Sequence, residues 1–259
     1  MDLNLSGKKA LVTGASKGIG LGIAKRLVNE GCHVRLVARN ESDLQAAQAE
    51  LASLDNNVSV TYSALDLSVT SQVEKLAEQS ADIDVLVNNA GAIPAGNIDR
   101  VDEETWRSAW DLKLFGYITL CRGIYSHMSA RQEEPGQRVI LNIIGAGGER
   151  PSSGYIAGAG ANAGLMAITR AMGGVSRKHG IRVLAINPGQ IVTERLETMQ
   201  RVLAQEKFGD PERWKEVWDA RYPPGQVEHI ADASAFLISD LSSNTTGTIL
   251  TIDGGHCAR

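Results

Sequence analysis

Seven short runs rich in branched aliphatic residues recur along the 259-residue chain, each separated from the next by a stretch of helical periodicity. They read KKALVTG at 8–14, HVRLVAR at 33–39, VSVTYSA at 58–64, DVLVNNA at 84–90, RVILNII at 138–144, RVLAINP at 182–188 and TILTIDG at 248–254. Strand-length runs that alternate with helices predict an α/β fold, a doubly wound, seven-stranded parallel sheet between two helical layers. The reason is geometric: parallel neighbours need a crossover, and the crossover helices cover both faces. Helix ends are legible as well. SRKHG closes one helix with basic residues and Gly180, and DPERW opens another on Asp210 and Pro211. No break in composition interrupts a chain that is 43% hydrophobic, which predicts a single domain over 1–259 with a full-sized core. Late in the chain one long insertion, about 194–224, carries Met199, Phe208, Trp214 and Trp218, and it is expected to form a lid over a substrate.

A net charge of -4 offers no broad basic surface, so a nucleic-acid partner is not expected. The apolar runs are strand-length and MDLNLSGKK lacks the apolar centre of a signal peptide, so no membrane is expected and the cytoplasm is the expected compartment. Cys32, Cys121 and Cys257 are too few and too scattered for a disulfide framework or a metal cluster, and they read as small apolar residues.

The stretch TGASKGIG, Thr13 to Gly20, directly follows the first run and leads into the helical LGIAKRLVNEG. Gly14, Gly18 and Gly20 allow backbone to approach a pyrophosphate, while the helix N-terminus offers free N–H groups and a partial positive charge. TGASKGIG resembles the TGxxxGxG signature of the short-chain dehydrogenase/reductase family. Further matches follow in order: LD at Asp66 and Leu67, NNAG at 88–91, NPGQIVT at 187–193 and TIDGG near the end. The resemblance covers nearly the whole chain and implies a Rossmann-type fold, a nicotinamide cofactor, oxidoreductase activity and a homodimer or homotetramer. It implies that the cofactor is held by Gly14, Ser16, Lys17, Gly18, Ile19 and Gly20, by Arg39, by Asp66 and Leu67 at the adenine, by Asn89, Ala90 and Gly91, and by Pro188, Gly189, Ile191 and Thr193. NAD users of such folds place an acid after the second strand, where it would repel a 2'-phosphate. Here Ala38 and Arg39 stand there, with Lys17 in the glycine loop. Two cations favour NADP, each charge-assisted contact contributing about 1–3 kcal/mol.

The same resemblance implies an Asn, a Ser and a Tyr-x-x-x-Lys pair that perform the chemistry. Anchoring on AGLMAITR puts Asn162 in the Lys position and Gly158 in the Tyr position, Gly145 where the Ser sits and Lys113 where the Asn is expected. A shifted reading takes Tyr155, seven residues before Asn162, a spacing similar to the Tyr-x6-Lys arrangement of the enoyl-reductase branch. On a helix these two positions lie about two turns apart on one face. Tyr155, Lys113 and Asn162 are therefore the candidate catalytic residues: the phenol passes a proton, the amide bonds a ribose hydroxyl, and the lysine supplies the missing charge. The alternatives are a Tyr155 that only walls the pocket and a Lys113 at the surface or an interface. Glu149 reads as a solvated loop carboxylate and Asn142 as a structural residue bonding backbone near the strand end. Gly158, Gly160 and Gly164 within a helix cost about 1 kcal/mol each relative to Ala. Close packing at a subunit interface would offset that cost, or Gly158 leaves room for a larger substrate or for Tyr155 itself. The expected activity is NADP-dependent hydride transfer to or from a hydrophobic carbonyl or conjugated small molecule. A protein that senses NADP without turnover, and a non-redox lyase or isomerase, are the alternatives.

Overall fold

All seven runs form strands in the computed structural model, which describes residues 2–55, 57–133 and 137–258, so that the end residues of the expected domain, 1 and 259, lie outside it. The strands are β1 (Lys9–Thr13), β2 (His33–Ala38), β3 (Val60–Ala64), β4 (Val85–Asn88), β5 (Arg138–Ile143), β6 (Ile181–Pro188) and β7 (Ile249–Ile252). They pair in the order β3-β2-β1-β4-β5-β6-β7, and every pair is parallel. The winding reverses between β1 and β4. In open sheets of this kind ligands bind outside the carboxyl ends of the strands at that reversal.

Among the described residues eight α-helices cross between the strands: α1 (Gly18–Asn29), α2 (Glu41–Ala52), α3 (Thr70–Glu78), α4 (Glu103–Trp110), α5 (Gly116–Ala130), α6 (Ile156–Ser176), α7 (Glu194–Phe208) and α8 (Val227–Ile238). Alternate strand residues enter opposite cores. Val12 and Leu36 pack with Ile23, Leu44 and Ile230 of α1, α2 and α8, whereas Leu11 and Val37 pack with Leu76 and Ile124 of α3 and α5. Every residue of β4, β5 and β6 is buried, which is why these runs read as continuous apolar stretches rather than alternating ones.

Three local features position the site. A π-helical turn, Asp111–Phe115, joins α4 to α5 and carries Lys113 into the interior, where the residue is 8% exposed. The 21-residue α6 begins at Ile156 and ends, as SRKHG predicts, in a 3-10 turn and a left-handed Gly180. The 194–224 stretch folds as α7, whose first turn is capped by the Thr193 hydroxyl, and a 3-10 helix, Pro211–Glu216, opened by Asp210. Trp214 and Trp218 meet edge to face at 5.4 Å within it.

Candidate active site

The carboxyl ends of β1, β4, β5 and β6 carry the loops on which most of the expected site residues lie. Thr13, buried at the end of β1, joins the first two loops. Its hydroxyl accepts from the backbone N–H of Asn89 at 2.9 Å and of Ala90 at 3.1 Å, and Asn89 Nδ2 donates to the carbonyls of Thr13 at 3.1 Å and Gly14 at 3.2 Å. Gly14 has φ +62°, and a Cβ there would lie 2.9 Å from Ala90 Cα, so no other residue fits. A Cβ on Gly20 would come within 2.2 Å of the Gly14 carbonyl oxygen, and Gly18 lies against the Thr193 methyl. Glycine loop, NNAG loop and Thr193 thus form one cradle. No side chain caps the first turn of α1, which leaves its N–H groups available to a phosphate.

Around that cradle Ser16 and Ile19 are half-buried, Lys17 is exposed at the start of α1, and Arg39 is exposed after β2. Arg39 and Asp66 line a cavity of about 550 Å³ that runs along Ala92, Ile93 and Leu112 to Arg195. Burial works to raise the Asp66 carboxyl, but the N–H and hydroxyl of Ser68 and the Arg39 charge hold it below its ordinary range. Leu67 and Ile191 are buried, Pro188 ends β6, and Gly189 abuts Asp253, where a Cβ would come within 2.7 Å.

At the other end of the cleft, the Lys113 ammonium donates to the carbonyls of Ile143 at 3.1 Å and Ile144 at 2.9 Å and lies 5.3 Å from the centre of the Tyr117 ring. Burial, assisted by the Arg195 charge, pushes its pKa down to about 7. The Tyr117 hydroxyl donates to the same Ile143 carbonyl at 3.0 Å. Lys113 also rests against Gly91, where a Cβ would lie 3.3 Å from Nζ. Asn162 Nδ2 donates to the Gly145 carbonyl at 3.3 Å, while its buried Oδ1 accepts from none of the described residues. That orphan acceptor and the cradle that Cβ atoms would fill are what a dinucleotide with ribose hydroxyls and phosphates fits.

Tyr155 departs from the helical placement expected of it. It is the residue before α6, with φ -142°, so helical spacing does not relate it to Asn162. From there its ring folds over Gly158, where a Cβ would lie 2.0 Å from ring carbons. Gly158 therefore makes room for Tyr155, the last of the readings open to it, and Gly160 and Gly164 face Trp110 and Leu114 of the same chain. Burial raises the Tyr155 phenol above its ordinary value, and Arg195 is the charge that opposes the rise. Gly145 takes φ +141° and stands 2.9 Å, at its Cβ position, from Asn162 Nδ2, so a serine there would be strained and crowded. Asn142 bonds side chains rather than backbone: it accepts from Asn88 Nδ2 at 2.9 Å and donates to Thr169 Oγ1 at 3.0 Å. Glu149 is exposed but held, accepting from Asn187 Nδ2 at 3.0 Å and Thr251 Oγ1 at 2.7 Å.

Sequence reasoning missed Tyr117 and Arg195. Tyr117 is four residues after Lys113, a spacing that would have placed it on the same helical face. Arg195 carries no local signal, because its neighbours at the site, Gly91 and Ile93, are distant in sequence. Among the described residues no helix is long and apolar enough to cross a membrane.

Comparison with known proteins bears on this arrangement. A family model described as short chain dehydrogenase matches residues 8–203. The 3-oxoacyl-[acyl-carrier-protein] reductase FabG of Chlamydia muridarum is 33% identical over 262 residues, covering 98% of this chain and 99% of the relative. The L-xylulose reductase of Bos taurus is 31% identical over 261 residues and covers 100% of both. Among solved structures, L-sorbose reductase from Gluconobacter frateurii, complexed with NADPH and L-sorbose, superposes with a TM-score of 0.92 at 29% identity over 100% of both chains. Actinorhodin polyketide ketoreductase with NADPH does so with a TM-score of 0.89 at 27% identity over 98% of both.

Proposed function

The chain belongs to the short chain dehydrogenase family and is an oxidoreductase of that type; on that premise we propose that it uses NADPH to reduce a hydrophobic carbonyl or conjugated small molecule, with Tyr155 as the proton donor. The bound cofactor supplies the hydride; carbonyl, NADPH and a proton give alcohol and NADP+. The glycine loop and the first turn of α1 hold the pyrophosphate, Arg39 and Lys17 the 2'-phosphate, and Asp66 with Leu67 the adenine. Asn89, Ala90, Pro188, Gly189, Ile191 and Thr193 complete the cleft.

The usual catalytic set is rearranged rather than copied. Asn162 stands in the place of the family lysine and Lys113 in the place of the family asparagine, so amide and amine have exchanged helices. Lys113, resting on Gly91, has when protonated a third N–H to offer a ribose hydroxyl, and Asn162 Oδ1 accepts from one. The observation that carries the reading is the Tyr155 ring lying over Gly158, in the space that the missing side chain leaves. A protonated phenol can donate to a carbonyl oxygen, and the Arg195 charge, which opposes the rise that burial causes, favours that transfer. The α7 and 3-10 segment over 194–224 serves as the substrate lid.

The test is an NADPH titration by fluorescence followed by a screen of carbonyl and enone compounds for its oxidation. Tyr155→Phe should lower kcat about 10²–10⁴-fold with NADPH affinity little changed. Turnover indifferent to that change would assign the proton to another group, and NADPH binding without turnover across the screen would favour the sensing role.

A further inference from the structure

Arg195 stands where the parts of this site meet. It lies in the first turn of α7, and its guanidinium donates to the carbonyls of Gly91 at 3.0 Å and Ile93 at 2.9 Å. Gly91 is the residue against which Lys113 rests, and Ile93 belongs to the apolar cluster on which the Tyr155 ring packs. Arg195 is thus the cation that acts on the Tyr155 phenol, and Lys113 lies against the same Gly91 whose carbonyl Arg195 holds. Among the described residues neither has a carboxylate within ion-pair distance, and Glu149, the acid of the neighbouring loop, is taken by Asn187 and Thr251. On its other side Arg195 borders the cavity whose walls include Ala92, Ile93, Pro94, Ala109 and Leu112, with Glu104 and Asp66 further along it. Two carbonyls occupy part of the guanidinium fork, and of its five N–H donors the remainder are available.

We propose that Arg195 binds a carboxylate of the substrate, so that the molecule reduced is an apolar carbonyl compound carrying an acid group. The proposal rests on the reduction described above and names its substrate class. A carboxylate matches the planar fork of a guanidinium, and beside an Arg195 that has no carboxylate within ion-pair distance among the described residues an anionic ligand gains a charge-assisted pairing that a neutral ligand does not. The apolar wall then takes the body of the substrate. The cofactor's own pyrophosphate is the other anion within the cleft, and the experiment separates the two.

The probes are 2-oxo-4-phenylbutanoate and 4-oxo-4-phenylbutanoate, each paired with its ethyl or methyl ester, assayed with the NADPH-loaded protein. We expect kcat/KM for the acids to exceed that for the esters by about tenfold or more. Arg195→Met should erase the difference through KM of the acid, Arg195→Lys should restore part of it, and NADPH affinity should move by less than about threefold. Esters preferred or equal in the unaltered protein would overturn the assignment. So would an Arg195→Met loss that falls equally on acid and ester, or mainly on NADPH affinity, which would give the guanidinium to the pyrophosphate or to holding the 91–93 loop. Binding is read in parallel from the quenching of bound NADPH fluorescence. Acids that bind through Arg195 without being reduced would leave the anion site standing and remove the reductase reading, whereas acids binding no tighter than esters would remove the anion site.

Discussion

Lys113 is a primary amine sealed among backbone carbonyls, and its ionisation is coupled to folding. Its pKa falls from about 10.5 to about 7 on burial, so between those values the unfolded chain binds more protons than the folded one. Stability contributed by this residue therefore rises with pH across that window and is lost as pH falls towards 7. Urea unfolding of Lys113→Met, compared with the parent between pH 6.5 and 9, should show the variant gaining relative stability at the acid end and the difference shrinking as pH rises. The buried thiols of Cys32 and Cys121, pushed up to about 12, act in the opposite sense at higher pH, but equally in both proteins. A parallel pH dependence in both would mean that Lys113 is solvated. Arg39 supports a second residue-level expectation. NADPH should bind at least about tenfold more tightly than NADH, a gap of about 1.4 kcal/mol, and Arg39→Asp should narrow or reverse it. Equal affinities in the unaltered protein would cancel the roles given to Arg39 and Lys17.

At the scale of elements, the role proposed for Tyr155 turns on the start of α6. Ala at Gly158 would ordinarily favour the helix by about 1 kcal/mol. Here its Cβ would strike the Tyr155 ring, and overpacking of this kind costs about 1–3 kcal/mol, so the steric effect should win. Gly158→Ala is expected to lower Tm slightly and to cost activity more than stability, since the ring must move. For the same reason Gly158→Tyr with Asn162→Lys should fail to build a working family centre, and adding Tyr155→Ala should be required before carbonyl reduction returns. Success of the double variant alone would mean that the phenol is not held over Gly158. The strands β4, β5 and β6 were legible because burial on both faces of a parallel sheet demands unbroken aliphatic runs. Tyr155 was misplaced because a residue before a helix has no periodicity to betray where its side chain goes.

For the whole molecule, the outer side of the α4–π–α5 rod leaves apolar surface uncovered. Ile98, Val101, Trp106, Trp110 and Phe115 line a groove of about 540 Å³, and Phe115 is 52% exposed. Patches of this kind on an isolated chain mark association surfaces, and we expect a homo-oligomer with a self-complementary interface here. Phe115→Arg should shift the species seen by light scattering towards the monomer. A parent protein already monomeric at micromolar concentration would cancel this expectation. Gly160 is a poor probe of that interface, since it faces Trp110 of its own chain.

What the sequence determined by itself was whatever depends on local rules. The number of strands and their places along the chain follow from aliphatic runs, the glycine cradle from glycines between a strand and a helix, and the expectation of NADP from Lys17 and Arg39. The surroundings of Lys113, Asn162 and Arg195 belong to tertiary structure. Lys113 acquires its low pKa only when folding buries it beside Arg195. Asn162 becomes an orphan acceptor only in a packed interior, and Arg195 joins the site only because α7 folds back over the loop after β4. Desolvation and contact between residues far apart in the chain set these properties, and no spacing along the chain encodes either.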